Sequence, residues 1–541
     1  MQFCSTRGFG RDGAGFGLEE CLMTGYAKDG GLFMPQRLPK LSVEELASWH
    51  GLAFQDVAFN VLTKFTRDHL PEHALKAIIE EAFETFSAKE IVPIVDIGDA
   101  KAKRLISAEL FHGPTYSFKD FGQQILCRML DYYARKRSRT CTVLVSTTGD
   151  TGPAAIAAIK DTKKLRIICF YPKGQISRLQ ELQMTTVDAS NVKVYPFQGG
   201  GDDMDFPIKT ITSDAKIQSE YALTSVNSIN IGRILAQTVH YIYLYLKVLS
   251  LESVKSREEV VFSVPTGAMG NVTAGLVAGL MGLPVSKFVC GVNANDILHR
   301  TMLTGEFRKK DMERTLSEAI NIQVPYNFER VLYLLNDQKS VKPLMEAMEA
   351  KGSVQIPEKI FSNLKKWIVT SRVEDVEMLN TIKTIQKHQK YLPDPHSAVG
   401  IAAAIKFAND EALQQHLQTP VSKIVCLATA HPCKFERAIR KALGDHFWDQ
   451  NVLNGVDMMG GSAKLLLSLP EVNRPVFAKG QNWTERLRSV VVFDSDGALS
   501  TSTRSRSCSK LHKTTLGIFA LGLGLTGVVV GYLFWPRSRS E

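Results

Sequence analysis

The feature that most constrains the fold is a set of short, continuous apolar runs separated by segments with helical spacing. The run "TCTVLVS", residues 140–146, is rich in β-branched residues and shows no alternation of polar and apolar positions. Such a run is typical of a strand buried on both faces of a sheet. Strands that alternate with helices predict an α/β fold with a mainly parallel sheet. Further candidate strands are "RLISAEL", "LRIICFYP", "NVKVYPF", "EVVFSVP", "KFVCGVN" and "KIVCLATA".

Changes in this pattern divide the chain of 541 residues into regions. Residues 1–95 are predicted to form short helices around a Gly-rich start. Residues 96–445 carry the alternation and are predicted to form two α/β lobes, with a helical insertion at about 300–390. The alternation ends there, and residues 446–510 are predicted to be a linker that is disordered in part.

Charge and cysteine content argue against several classes of protein. Of the net charge of +10, the segment from Thr501 onward supplies six basic residues and one acidic residue, so six minus one, or five, of the excess charges lie there. The remainder has no basic run with interleaved aromatic residues, which argues against nucleic acid binding. The nine cysteines are scattered, without a CxxC motif or a Cys/His cluster. We therefore expect no metal site and no disulfide framework.

The two ends of the chain suggest where it resides. The N-terminus lacks the charged and apolar segments of a signal peptide, so the body of the chain is expected in the cytoplasm. Within the final region, 511–541, residues 516–535 carry no charge and have the length of a bilayer-spanning helix. Basic residues flank this run on both sides. We expect an apolar helix that anchors the tail in an intracellular membrane, the outer mitochondrial membrane rather than the endoplasmic reticulum; a buried helix is the alternative.

A lysine lies where a predicted strand gives way to a predicted helix. Lys119, in "SFKDFG", has Phe118 and Phe121 nearby and is followed by Asp120. Apolar surroundings disfavour the ammonium form and lower the pKa of a lysine, which is what a reactive amine requires. The alternative is a lysine at a helix start whose amine reaches water.

Two strand–helix loops have the composition of anion-binding sites, which lie beyond the carboxyl ends of parallel strands. The threonine loop, "TTGDTG" at 147–152, offers N–H groups and hydroxyls, although a tight turn capped by Asp150 or Thr151 is the alternative. In "VPTGAMGNV", Gly267 and Gly270 frame a loop whose successive N–H groups can surround a phosphate. This loop has neither a P-loop lysine nor a GxGxxG motif, which argues against a mononucleotide or dinucleotide site here.

A third loop, "CLATAHP" at 426–432, places Thr429 just beyond a predicted strand. Its hydroxyl could hydrogen-bond a ring nitrogen, although a helix N-cap is the more common role. A desolvated lysine, two anion-binding loops and a hydroxyl for a ring nitrogen together indicate pyridoxal 5′-phosphate (PLP) as cofactor.

A series of motifs over about residues 1–445 resembles threonine synthases, in the same order along the chain. The resemblance implies the type II fold of PLP-dependent enzymes, similar to the tryptophan synthase β subunit, with an additional N-terminal helical region. The motifs are "CSTRG", "GYAKDGGLFMP", "LFHGPTYSFKDFG", "STTGDTGPAAI", "YPKGQISRLQELQMTTV", "SVNSINIGRILAQ", "NANDILHR", "YNFERVLYLL", "DPHSAVG" and "TAHPCKF".

The resemblance also implies roles for individual residues. Lys119 would carry PLP as a Schiff base, and the Thr429 hydroxyl would bond the pyridine nitrogen. The PLP phosphate would be bound by the backbone of Gly267, Ala268, Met269, Gly270 and Asn271. The substrate carboxylate would be bound by Thr148, Gly149, Asp150 and Thr151. For a substrate phosphate the candidates are His112, Lys173, Arg178 and Arg233.

The implied reaction acts on a small phosphorylated amino acid. We favour a phospho-lyase that converts O-phosphothreonine or O-phosphohomoserine to 2-oxobutyrate, ammonia and phosphate. Threonine synthase activity on O-phosphohomoserine is the first alternative. Threonine synthases usually read GNFGD where this chain reads "GAMGN", which changes the neighbours of the ring. A non-catalytic signalling protein is the second alternative, against which Lys119 and the three loops argue. The sequence leaves the oligomeric state open.

Overall fold

The computed structural model describes residues 1–98, 105–200, 203–336, 338–411, 421–454 and 461–495. The chain up to Arg488 forms one unit, and a second unit begins at Ser489. No helix within the described ranges combines the length and the apolar character needed to cross a membrane. The candidate anchor at 516–535 lies outside the described residues.

The N-terminal region is helical around a small antiparallel pair of strands, β1 (Phe3–Ser5) and β2 (Phe33–Pro35). The longer helices bury one face each, as a period of 3.6 residues requires. Both strands are fully buried and contribute to the core. The helices of this region are α1 (Leu18–Thr24), α2 (Val43–Trp49), α3 (Phe54–Thr66) and α4 (Glu72–Glu84).

Two separate sheets carry the predicted alternation of strands and helices. The strands of the larger sheet are β3 (Ile94–Asp96), β4 (Leu105–Glu109), β9 (Val260–Pro265), β10 (Val285–Val292), β13 (Ile368–Arg372) and β14 (Ile424–Ala428). Their order is β13-β10-β9-β14-β4-β3, and every pair is parallel except β3 with β4. All residues of β9 and β14 are buried, because helices cover both faces of the sheet.

The smaller sheet has four parallel strands in the order β7-β6-β5-β8. They are β5 (Cys141–Ser146), β6 (Leu165–Pro172), β7 (Val192–Phe197) and β8 (Leu223–Thr224). All six residues of β5 are buried, which agrees with its continuous apolar sequence. The prediction of a mainly parallel α/β fold is therefore confirmed.

One helix, α10 (Ile231–Val248), is buried on all sides. Every residue from Ile231 to Leu246 is buried, which identifies α10 as a core helix rather than a surface helix. The other helices between the strands are α5 (Lys119–Lys136), α6 (Thr151–Ile159), α7 (Arg178–Thr185), α8 (Asp205–Thr212), α9 (Ala215–Tyr221), α11 (Leu251–Lys255) and α12 (Gly270–Met281).

The region predicted as a helical insertion also contains strands. β11 (Glu306–Arg308) pairs with β12 (Ser353–Gln355) as a separate antiparallel pair, and β13 extends the larger sheet. A 3₁₀ turn, Glu318–Ile320, precedes the middle helices. The helices here are α13 (Ile297–Thr304), α14 (Phe328–Leu335), α15 (Val341–Lys351), α16 (Glu358–Trp367), α17 (Asp375–Gln389) and α18 (Pro395–Asn409).

The sequence analysis expects a linker after residue 445. The described residues there contain helices, and the stretch around Phe477 packs against the smaller sheet. Phe477 is fully buried, and its backbone bonds with Pro196 and Gln198 beside edge strand β7 (both N···O distances 2.9 Å). Composition gave no sign of this, because the buried residues of this segment, among them Phe477 and Leu487, are separated by exposed ones. The helices of this part are α19 (Glu436–Leu443), α20 (Asp445–Phe447), α21 (Gly461–Leu466) and α22 (Trp483–Ser495), and Trp448–Leu453 forms a π-helical turn.

We expect Phe477→Ala to lower the free energy of unfolding by about 3 kcal/mol, because it leaves a cavity among buried rings. The Phe477 ring lies 5.2 Å from Phe170 and 5.7 Å from Tyr195, between centroids. Urea unfolding measures the effect, and Phe206→Ala is the control because Phe206 is 74% exposed. Equal stability of the two variants would show that the segment after residue 460 does not support the sheet.

Candidate active site

Loops that follow β4, β5, β9 and β14 converge on one cavity. β4, β14 and β9 are neighbours in the larger sheet, and β5 belongs to the smaller one, so the cavity lies between the two sheets. The carboxyl ends of parallel strands are the expected place for a ligand. The predicted site residues on its wall are Lys119, Thr148, Asp150, Thr151, Arg233, Gly267, Ala268, Met269, Gly270, Asn271 and Thr429.

Lys119 is the first residue of α5, and its side chain is 13% exposed. Its position depends on the loop after β14, because the backbone N–H of Phe118 donates to Thr429 O (2.8 Å). Burial lowers the pKa of the Lys119 amine, and the charges of Arg233 and Lys434 act in the same direction, against Asp150. The structure therefore provides the desolvated lysine that the sequence indicates.

Asp150 is a buried carboxylate between two lysine side chains. Its Oδ1 lies 2.7 Å from Lys434 Nζ, and its Oδ2 lies 3.5 Å from Lys119 Nζ. Burial alone would raise the pKa of Asp150, but the charges of Lys434 and Lys119 hold it well below its usual range. Gln180 Nε2 also donates to Oδ1 (2.9 Å). The carboxylate is thus charged and fixed in position.

The glycine loop, residues 267–271, presents a row of free backbone N–H groups. Thr266 N–H donates to Gly291 O and Thr273 N–H donates to Met269 O, and between them no backbone N–H has a partner among the described residues. The loop is closely packed, since a Cβ on Gly270 would lie 2.9 Å from Ser228 Cβ. Unpaired N–H groups at the start of α12 form an anion-binding site.

The side chain of Asn271 is fixed by hydrogen bonds from two residues of α10. Its Oδ1 accepts hydrogen bonds from His240 Nε2 (3.0 Å) and the Tyr241 hydroxyl (2.9 Å), whereas its buried Nδ2 has no partner in the described chain. Burial lowers the pKa of His240 to about 3, so the ring is neutral. Asn271 therefore keeps a fixed amide orientation within the loop.

Thr429 borders the cavity directly after β14. Its N–H donates to Ser397 Oγ (2.9 Å), and its carbonyl accepts from Phe118 N–H. Its hydroxyl has no hydrogen-bond partner within the ranges that the structure describes. The backbone of Thr429 is therefore fixed while its hydroxyl is available to a ligand.

Arg233 is a buried cation on the wall of the same cavity. It is 2% exposed, its Nη1 donates to Val226 O (3.0 Å), and its Nε has no partner among the described residues. Burial lowers the pKa of Arg233 to about 10. No carboxylate in the described chain lies within ion-pair distance of this guanidinium. A buried cation without a counter-ion indicates an anionic ligand.

The other candidates for the substrate phosphate lie elsewhere, which corrects the prediction for His112. His112 Nε2 lies 2.7 Å from Glu109 Oε2 and does not border the cavity. Arg178 is half-exposed and pairs with Glu181 and Glu471. Lys173 is likewise away from the cavity wall. Gly149 also lies behind the cavity: its φ is 126°, and a Cβ there would meet Gln180 Oε1 at 2.4 Å.

The sequence analysis missed several residues that line or support the site, among them Lys434 and His396. Lys434, in "TAHPCKF", contacts Asp150, and His396, in "DPHSAVG", borders the cavity. His396 Nδ1 pairs with Asp394 (2.8 Å), and its Nε2 accepts from Ala319 N–H (3.0 Å). Both residues belong to motifs that carry the family resemblance. That was the available signal, but spacing alone does not show that either side chain is buried.

Comparison with known proteins agrees with this geometry. A model for the threonine synthase N-terminus matches residues 2–83, and one for pyridoxal-phosphate dependent enzymes matches residues 99–430. The chain belongs to the threonine synthase family of PLP-dependent enzymes. Threonine synthase-like 2 from Homo sapiens is 35% identical over 91% of this chain and 97% of its own length. Threonine synthase from Pseudomonas aeruginosa is 35% identical over 82% of this chain and 90% of its own.

Solved structures confirm the predicted type II fold and the cofactor. PLP-bound threonine synthase from Brucella melitensis is 32% identical, with a TM-score of 0.79 over 92% of this chain and 99% of that one. Yeast threonine synthase is 30% identical, with a TM-score of 0.80 over the same shares. PLP is the cofactor of this family member. The free N–H groups of the glycine loop, the Thr429 hydroxyl and the buried Lys119 amine fit it.

We expect acid to destabilise the protein partly through His240. Its folded pKa of about 3 lies below the ordinary 6.5, so the folded state binds fewer protons and loses stability as the pH falls below 6.5. His240→Gln keeps a donor for Asn271 but does not titrate. Between pH 7.5 and pH 5 the wild type should lose about 2 kcal/mol more than the variant in urea unfolding. The exposed His388→Gln is the control, and identical slopes for all three chains would contradict a neutral, buried His240.

Proposed function

We propose that the protein is a PLP-dependent phospho-lyase that acts on O-phosphothreonine, O-phosphohomoserine or both, giving 2-oxobutyrate, ammonia and phosphate. The observation that carries the proposal is the Arg233 guanidinium, which is buried and lacks a counter-ion among the described residues. It lies on the same cavity as Lys119 and the glycine loop. The cavity thus has one anion site for the cofactor phosphate and a second for a substrate phosphate.

The proposed binding roles follow from the free groups on the cavity wall. The N–H groups of residues 267–271 bind the cofactor phosphate, because they lack other partners in the described chain. The Thr429 hydroxyl bonds the ring nitrogen. The threonine loop binds the substrate carboxylate with the backbone and hydroxyls of Thr148 and Thr151 at the start of α6. Arg233 binds the phosphate ester.

Lys119 has the proposed role of covalent attachment and proton transfer. PLP, when bound, supplies an electron sink for the negative charge that develops at the substrate Cα. The Lys119 Nζ, once released from the cofactor, accepts the Cα proton, since burial favours its neutral form. A neutral hydroxyl at the ring nitrogen leaves the ring without an added proton. The phosphate is a good leaving group, and the Arg233 charge stabilises it as it departs.

Threonine synthase activity is the second candidate, favoured by the identity of 35% to the Pseudomonas aeruginosa enzyme of that name. Both activities would use the same cation for the substrate phosphate. They differ in what happens after the phosphate departs. The glycine loop reads Ala268 and Asn271 where threonine synthases usually carry Asn and Asp. Because these residues border the ring site, we favour the lyase.

Product analysis tests the proposal. The purified protein is incubated with each phosphoamino acid, and phosphate, 2-oxobutyrate and threonine are quantified. Equal amounts of 2-oxobutyrate and phosphate support the lyase. Threonine in amounts equal to phosphate supports the synthase, and release of neither product from either substrate would overturn both.

We expect PLP to be attached to Lys119. The wild type should show a visible absorption band, and borohydride should fix the cofactor to a peptide that contains Lys119. Lys119→Ala should retain less than a tenth of the fixed cofactor by mass spectrometry, because the amine is gone. Lys173→Ala, which lies away from the cavity, is the control and should retain all of it. Covalent cofactor in Lys119→Ala at the wild-type level would show that another lysine holds PLP.

We expect phosphorylated substrates to be preferred over threonine by roughly a hundredfold in kcat/KM, since two charge-assisted hydrogen bonds contribute about 1.5 kcal/mol each. Arg233→Gln should remove most of that preference and affect threonine little. Arg178→Gln is the matched control, because Arg178 is half-exposed and outside the cavity. Equal kcat/KM for threonine and O-phosphothreonine in the wild type would indicate a plain dehydratase.

A further inference from the structure

Lys434 is a buried lysine with two fixed partners. Its side chain is fully buried, and its Nζ lies 2.7 Å from Asp150 Oδ1 and donates to Thr115 O (2.8 Å). Thr115 is held in turn by Asp120, which accepts from the Thr115 N–H (2.9 Å) and hydroxyl (2.7 Å). The Lys434 ammonium is thus held between Asp150 Oδ1 and Thr115 O, a carbonyl that also accepts from Gln183 Nε2 (3.1 Å).

Lys119 and Lys434 compete for the same carboxylate at different distances. Lys434 Nζ is at hydrogen-bond distance from Asp150, whereas Lys119 Nζ is 3.5 Å from the other carboxylate oxygen. Lys434, which makes the shorter contact, does not border the cavity, whereas Lys119, which makes the longer one, does. The carboxylate thus has a permanent partner and a weaker one.

Other charged groups around this cluster do not replace Lys434. Arg233 faces Lys119 and disfavours its ammonium form. His396 pairs with Asp394 and accepts Ala319 N–H at Nε2, so that nitrogen carries no proton. Glu318 adds negative charge near Asp150, and burial raises the pKa of Glu318 to about 6. Without Lys434, Lys119 would be the nearest cation to Asp150.

We propose that Lys434 is a positioning residue: it is the standing counter-ion of Asp150, so the Lys119 nitrogen does not have to remain protonated to balance that charge. Attachment of PLP joins the neutral Lys119 Nζ to the aldehyde carbon as C=N and releases one water, and the proton of the former ammonium passes to solvent. An ammonium held by an uncompensated carboxylate cannot take this step. The proposal rests on the proposed attachment at Lys119 but not on which reaction follows.

The test compares the full-length holoenzyme with Lys434→Met, Asp150→Asn and the double variant. The visible band of bound PLP reports protonation of the Lys119 nitrogen, and its midpoint pH is read by titration. Lys434→Met should raise this midpoint by about one unit or more, as a lone nearby carboxylate does. The double variant should return to the wild-type midpoint or below it, because the carboxylate charge is gone. Lys441→Met, an exposed lysine on α19, should leave the midpoint unchanged.

Thermal unfolding of the same chains is a second test, which still gives a result if Lys434→Met is too unstable for the titration. The double variant should melt at a higher temperature than either single variant, since each single change leaves one buried charge unpaired. Additive losses of Tm, or a midpoint that moves equally in Lys434→Met and in the double variant, would overturn the role of Lys434. A wild type that shows no visible band of bound PLP would instead overturn the attachment of PLP at Lys119.

Discussion

The pairing of buried charge at Asp150 is the constraint on which the site depends. A carboxylate that is 3% exposed must be paired, and its partners come from different parts of the chain. Lys119 follows β4, Asp150 follows β5 and Lys434 follows β14, so one charge cluster ties the smaller sheet to the larger one. Loss of Asp150 or of Lys434 leaves a buried charge without its closest partner, and this makes the geometry of the three loops interdependent.

The second constraint is steric: the glycine loop is packed so closely that side chains larger than glycine do not fit at some of its positions. A Cβ on Gly267 would lie 3.0 Å from Ile320 Cα, and Met269 itself has a φ of 62°. Ile320 belongs to the 3₁₀ turn after β11, and its neighbour Ala319 donates to His396 on α18. The region that looked like a helical insertion therefore forms one wall of the cavity. Its removal would expose the loop and free His396.

The sequence was sufficient for the class of fold and for the loops that meet, because both depend on local patterns. Continuous apolar strands and Gly-rich strand–helix turns are read from neighbours along the chain. The edge strand β13 was missed, since its residues are mostly half-buried and its pattern merges with the adjoining helices. Lys434 was missed for a different reason: its burial comes from Asp150 and Thr115, which are hundreds of residues away.

His112 and Arg233 were both predicted as candidates for a substrate phosphate, and the structure places them in different surroundings. His112 follows a strand end, but its Nε2 pairs with Glu109, three residues earlier, and its side chain does not border the cavity. Arg233 lies in a stretch of α10 that is buried throughout. A helix buried on every side cannot place a guanidinium in water. The equally buried Arg330 on α14 donates to carbonyl and amide oxygens, whereas the Nε of Arg233 has no partner among the described residues. We therefore propose Arg233, rather than His112, as the partner of a substrate phosphate, because its buried charge borders the cavity.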